Sequence, residues 1–216
     1  MKQKPLSLKS LSFAAVLLCA AAAAQADITV YTDRAAFLAA LSSSGTDTFD
    51  DLIVSQTSTP LLRSAGAFGY RASAGPVSNF WPAGTTGGDV WLAPTVSNDT
   101  ITFDSFGGLQ AFGGNFFGSD AAGAFSPNRT VVLTATDGAA TRTVNLYDTT
   151  VATFLGFIST DPLASVSLRT DGVPGGTAYW STANDVMIGM PVPEAQTYAM
   201  LLLGLGLIGF VARSRG

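Results

Sequence analysis

Any acid–base or metal chemistry in this chain has to come from oxygen. There is no histidine, and the single cysteine, Cys19, lies in an apolar run near the N-terminus. Ser-His-Asp and Cys-His nucleophilic catalysis therefore lack a base or a thiol, and the usual nitrogen and sulfur ligands of zinc are missing. The aspartates remain: Asp50 and Asp51, Asp104, Asp120 and Asp185. Two facing carboxylates suffice to hydrolyse a glycosidic bond. Asp50 and Asp51, read as neighbours on a strand, point to opposite faces and do not make such a pair. Aspartates among glycines are turn formers and solvated groups first, so the expectation is a protein that is not an enzyme. The same carboxylates are hard oxygen ligands that suit calcium. No stretch carries the spaced Asp/Asn loop closed by a bidentate Glu. Asp120 in the glycine run and Asp185 near the last strand are the weak metal candidates, turn closure is their plain alternative, and no other cofactor is expected.

A second kind of chemistry is offered by flat rings. Tyr70, Phe80, Trp81, Trp91, Tyr179 and Trp180 fall in or beside loop-like stretches. An exposed ring of this size stacks on the face of a sugar, whereas a buried one fills the core. The sequence leaves both readings open, with Trp81, Trp91 and Trp180 as the candidates for sugar contact.

These residues need a scaffold, and the pattern of the chain specifies one. After Ile28-Thr29-Val30-Tyr31, the stretch TDRAAFLAALSSSG has a capping Thr32 or Asp33, Phe37 and Leu41 four apart, and a Ser/Gly stop, which predicts one short helix. From Thr46 onward the period changes to two. Ile101 and Phe103, Val131, Leu133 and Ala135, Val144 and Leu146, and Val166 and Leu168 recur at period two between Asp-Gly and Asn/Pro turns, with the apolar run Phe154 to Ile158 among them. This predicts an all-β sandwich or barrel. Ala72 to Asp89 reads as a long, partly irregular connection. Within FGGNFFGSDAAGAF, Gly113 and Gly114 in an apolar strand predict a bulge or a close backbone approach.

The two ends carry addresses. Lys2, Lys4 and Lys9 precede an apolar run from Phe13 to Ala24, and Ala24-Gln25-Ala26 fits the small-x-small pattern at which a secretory signal is cut, so residues 1–26 read as a signal peptide handled by the Sec export machinery. The following 27–190 then has no cysteine and no lysine. Arg34, Arg63, Arg71, Arg129, Arg142 and Arg169 are outnumbered by aspartates, a balance that disfavours nucleic acid. Cations and neutral glycans suit it better. At the other end, Tyr198 to Ala212 is apolar on every face and reaches about 22 Å as a helix, against a hydrocarbon core of about 30 Å. Arg213 and Arg215 follow it and mark the cytoplasmic side.

The ending Val192-Pro193-Glu194-Ala195, an apolar Leu- and Gly-rich segment, and Phe210-Val211-Ala212-Arg213 together resemble the PEP-CTERM sorting signal of Gram-negative bacteria. Pro193 and Glu194 match the first two motif positions, and Ala195 stands where the family has a second proline. The resemblance covers 191–216 and implies a transmembrane helix over 198–212 with a basic tail at 213–216. It also implies recognition by an inner-membrane exosortase, a precursor tethered in that membrane, and release to the cell surface or extracellular matrix. Proteins of this family are often associated with exopolysaccharide and biofilm. Upstream, the opening helix, Phe49-Asp50-Asp51-Leu52, Phe112-Gly113-Gly114, Phe157-Ile158-Ser159 and Asn184-Asp185-Val186 look like the jelly-roll ectodomains of such proteins. The implied function is a structural or matrix protein without catalysis, with a carbohydrate-binding module as the alternative.

Overall fold

The computed structural model describes residues 27–84, 87–171 and 177–193, together with Gly204 and Arg213. The signal peptide read over 1–26, Glu194 and Ala195, the transmembrane segment apart from Gly204, and Arg215 lie outside the described residues. No helix among the described residues is long and apolar enough to cross a membrane.

Thirteen strands and one helix are described, and all named strand pairs are antiparallel. One sheet has the order β1 (Ile28–Tyr31), β11 (Phe154–Ser159), β8 (Ala111–Ser119), β13 (Trp180–Pro191), β2 (Leu41–Asp47). The other runs β10 (Thr141–Leu146), β9 (Val131–Thr136), β12 (Ser165–Thr170), β7 (Thr100–Asp104), β4 (Phe68–Gly75), β3 (Leu61–Ala65). A two-stranded ribbon, β5 (Ala83–Gly84) and β6 (Val90–Trp91), stands beside them. Between the two larger sheets lies one apolar core, built on the six-stranded side from Ile101, Phe103, Leu133, Val166 and Leu168 and on the five-stranded side from Phe112, Phe116, Leu155, Phe157 and Ile188. Ile101, Phe103, Leu133, Val166, Leu168, Leu155 and Phe157 are residues the period-two pattern marks, whereas Phe112, Phe116 and Ile188 are not; burying each stabilises the sandwich by about 1.5–3 kcal/mol.

The helix forms where it was expected but ends sooner. Helix α1 covers Arg34–Ala39, and Asp33 caps it by accepting the Ala36 amide at 2.7 Å. Phe37, fully buried, packs with Ala111, Phe154 and Met187 on a second, smaller apolar cluster. Leu41 is not on the helix: it opens β2, whose polar run LSSSGTD forms the sheet edge by pairing its backbone with β13. Tertiary pairing overrides local propensity there, as is common for strands. Similarly, Ala72 to Gly75 belong to β4 rather than to a loop, and Phe49 to Leu52 form a turn rather than a strand, with Leu52 N–H donating to the Phe49 carbonyl and Phe49 at φ +62°.

The paired glycines are resolved by the opposite strand. Strand β8 pairs regularly with β11, while the register irregularity sits in β13 between Asn184 and Met187. A Cβ on Gly114 would lie 3.1 Å from the Asn184 carbonyl oxygen and 3.4 Å from that of Asp185, so the glycine admits the bulged backbone of its neighbour.

Candidate functional site

The residues that meet in a cleft come from one end of the five-stranded sheet. Trp180 opens β13 and is the register partner of Ser119, the last residue of β8, so their side chains share a face. Ala183 and Phe116, three register pairs along and so on the opposite face, both belong to the inter-sheet core. Trp180 and Ser119 therefore face away from it.

Directly after Ser119 the chain makes a tight loop organised by one aspartate. Asp120 Oδ1 accepts the amides of Ala122 at 2.9 Å and Ala124 at 3.0 Å, while the Asp120 amide donates to the Ala124 carbonyl at 2.8 Å. Only Oδ1 is used in this way; Oδ2 accepts no hydrogen bond among the described residues. Gly123, at φ +78°, faces Ala83 of β5, and a Cβ there would come within 2.7 Å of the Ala83 Cβ. This contact joins the loop to the ribbon.

The opposite wall is the segment that precedes and follows the ribbon. The Trp81 amide donates to the Ala93 carbonyl at 2.8 Å, and the Thr95 amide to the Asn79 carbonyl at 2.8 Å, so the two stretches run side by side. Thr95 Oγ1 accepts the Asn79 amide at 3.1 Å, and the Thr95 carbonyl accepts Trp180 Nε1 at 3.3 Å, which fixes the indole. The cleft, open to solvent, has a volume of about 240 Å³ and is lined by Trp81, Trp180, Asp120, Thr95 and Ser119 among others. Trp81 is 45% exposed. Among the described residues on the lining, Asp120 is the only charged one.

Of the three tryptophans singled out by the sequence, the structure thus brings Trp81 and Trp180 together with Asp120. Trp91 stands apart. It packs edge-on against Phe117 with centroids 5.4 Å apart, its Nε1 is buried without a hydrogen-bond partner among the described residues, and it is not on the cleft lining. Tyr70 and Phe80 are core residues, and the Tyr179 hydroxyl donates to the Thr130 and Asp171 carbonyls. Thr95 and Ser119 carried no signal in sequence, since they reach the cleft only through long-range pairing.

The remaining aspartates have other partners. Asp185, at φ +49° in the bulge, accepts from Arg34 Nη2 at 3.0 Å and Asn115 Nδ2 at 3.5 Å. An arginine in that position competes with a cation for the same carboxylate. Asp104 is paired with Arg71 through two hydrogen bonds of 2.7 Å, and the arginine holds its carboxyl below the ordinary range. Asp50 accepts the Val90 amide at 3.0 Å, and Asp51 accepts from both ends of the Arg63 fork. Among the described residues no group of three or more His, Cys, Asp or Glu side chains is placed to hold a metal.

A buried network that the sequence did not mark lies under the turn at Asp50. Asp47 Oδ2 accepts from Tyr70 Oη at 2.6 Å and Arg63 Nε at 2.9 Å, and its Oδ1 accepts from Arg63 Nη2 at 2.6 Å and the Phe49 amide at 3.1 Å. Arg63 also lies over the Phe49 ring at 5.4 Å. Burial, with the negative Asp47 beside it, pushes the Tyr70 hydroxyl well above its usual pKa. The arrangement locks β2 to β3 and β4.

Strand β13 continues to Pro191, and the Val192 amide donates to the Ala40 carbonyl at 2.9 Å, one residue before Pro193. Pro193 itself lines a second cavity of about 520 Å³ together with Tyr31, Ile158 and Met190.

No curated protein matches the chain. Among solved structures, a carbohydrate-binding module in complex with β-1,4-galactotriose is similar at 14% identity over 56% of this chain and 88% of that one, with a TM-score of 0.30. A likeness of that size says nothing about the ligand of this chain. The family model described as the PEP-CTERM protein-sorting motif matches residues 191–215. The chain therefore carries a PEP-CTERM protein-sorting motif that begins at the final residue of its last described strand, which marks it as an exported, sorted protein.

Proposed function

We propose that this is a non-catalytic surface or matrix protein whose sandwich domain holds polysaccharide at the Trp81–Trp180 cleft. The supporting observation is the cleft itself, in which a half-exposed indole, a second indole fixed by the Thr95 carbonyl and one carboxylate line the same space. Indole faces take the apolar CH face of a sugar, and a few convergent polar groups then orient it. Hydrolysis needs two facing carboxylates, and Asp120 has no acidic companion on the described lining. That favours binding over turnover, and the reading needs no cofactor.

Delivery follows from the two ends. The Sec machinery exports the chain, segment 198–212 holds the precursor in the inner membrane with Arg213 and Arg215 inside, and an exosortase reads Pro193-Glu194-Ala195 and releases the domain to the surface. Association with exopolysaccharide or biofilm is then the setting in which the cleft works. Affinity electrophoresis of the full chain through gels containing polysaccharide tests the binding reading. Retardation that disappears in Trp81→Ala supports it, and equal mobility of both proteins in every gel refutes it.

A further inference from the structure

We infer that the cleft selects an uncharged sugar unit, one pyranose ring at a time, and rejects acidic glycans; this rests on the binding reading above and gives it a substrate class. The described lining offers Asp120 and no lysine, arginine or histidine, so a uronate, sulfate or phosphate group would find no cation there to receive it. Elsewhere in the fold, Arg34 pairs with Asp185, and Arg129 donates to Ser126 Oγ and lies over the Tyr179 ring.

A neutral sugar is also favoured over a cationic amino sugar. Asp120 is exposed and its Oδ1 already accepts two backbone amides, whose dipoles offset part of the negative charge. An exposed ion pair formed there would add little. What the geometry leaves open is Oδ2, an acceptor matched to sugar hydroxyl donors beside indole rings that take the CH face. A volume of about 240 Å³ is below the range of about 300–1,000 Å³ that encloses a drug-sized ligand, which fits a single ring rather than a ring pair.

The test uses the full chain in detergent, titrated by calorimetry with dextran, β-1,4-galactan, polygalacturonate and chitosan oligomers at low and high salt. The inference expects binding to dextran or galactan that changes less than twofold across the salt series. In Asp120→Asn, which keeps the Oδ1 acceptor of the loop but loses the charge, that binding weakens about tenfold, the size expected for a hydrogen bond to a charged group. Unchanged thermal unfolding of this variant shows that the loop is intact. Tighter, salt-sensitive binding of polygalacturonate or chitosan, lost in Trp81→Ala, overturns the neutral-sugar inference and leaves the cleft reading standing. Binding of none of the four overturns the cleft reading as well.

Discussion

Gly123 and Ala83 touch so closely that a methyl group on the glycine would sit 2.7 Å from the alanine Cβ, and the glycine holds a left-handed φ of +78° at this contact. Through it, the loop after β8 and the ribbon β5–β6 form one continuous border of the cleft. Gly123→Ala meets both obstacles. Overpacking and an unfavourable φ together should cost about 1–3 kcal/mol of stability, and the displaced Asp120 should weaken polysaccharide binding more than the loss of stability explains. Thermal unfolding and affinity electrophoresis on the same preparation check this.

The tryptophans should separate by role. Trp81 is 45% exposed, so Trp81→Ala should leave unfolding within about 0.5 kcal/mol of the parent, as surface changes do, while abolishing retention on polysaccharide. Trp91 packs on Phe117, and Trp91→Ala should do the opposite: a loss of about 2–4 kcal/mol from the emptied volume, with binding kept by the molecules that remain folded. Denaturant titration monitored by circular dichroism distinguishes the two.

How much of this was legible in the sequence follows from what each residue depends on. Phe103, Leu133 and Leu168 declare their strands locally, because alternation records which face is buried. The β2 edge was not legible, because Ser42, Ser43 and Ser44 are held by the backbone of β13 and not by their own preference. The cleft was legible as residue types and not as a place. Trp81 and Trp180 could be named for their rings, but their nearness depends on the Trp180–Thr95 hydrogen bond across a separation no local pattern encodes. Trp91 has the same ring and a different environment, which only packing decides. The sorting motif, by contrast, is read from contiguous residues and needed no fold.

Arg63 should be the most sensitive charged position. It is 12% exposed and its removal strands Asp47, which is 4% exposed and also serves Tyr70 and the Phe49 amide. Arg63→Ala should cost about 3–5 kcal/mol, the usual consequence of breaking a buried pair from one side. Arg63→Ala combined with Asp47→Asn should recover part of that loss, measured as the shift in urea midpoint at constant slope.

Acid should destabilise the fold through its paired carboxylates. The Arg63 guanidinium holds the Asp51 carboxyl, and the Arg71 guanidinium holds that of Asp104, below the ordinary value of 3.8. A carboxyl with a depressed folded pKa contributes stability that is present above the unfolded value and lost as pH falls through the folded one. The unfolding temperature should therefore drop below about pH 4, and the drop should be shallower in Asp51→Asn with Asp104→Asn. At the alkaline end, the raised Tyr70 pKa means stability is fully present below the usual tyrosine value of 10.0 and declines above it. Tyr70→Phe should remove that decline.

The most direct test of the account is a nuclear magnetic resonance titration of the three indole N–H signals with a polysaccharide fragment that binds, each signal assigned from a Trp→Phe variant. The account predicts that Trp81 and Trp180 shift with the same dissociation constant while Trp91, packed on Phe117 and away from the lining, stays in place. A ligand that moves Trp91 and leaves Trp81 and Trp180 unchanged would contradict it.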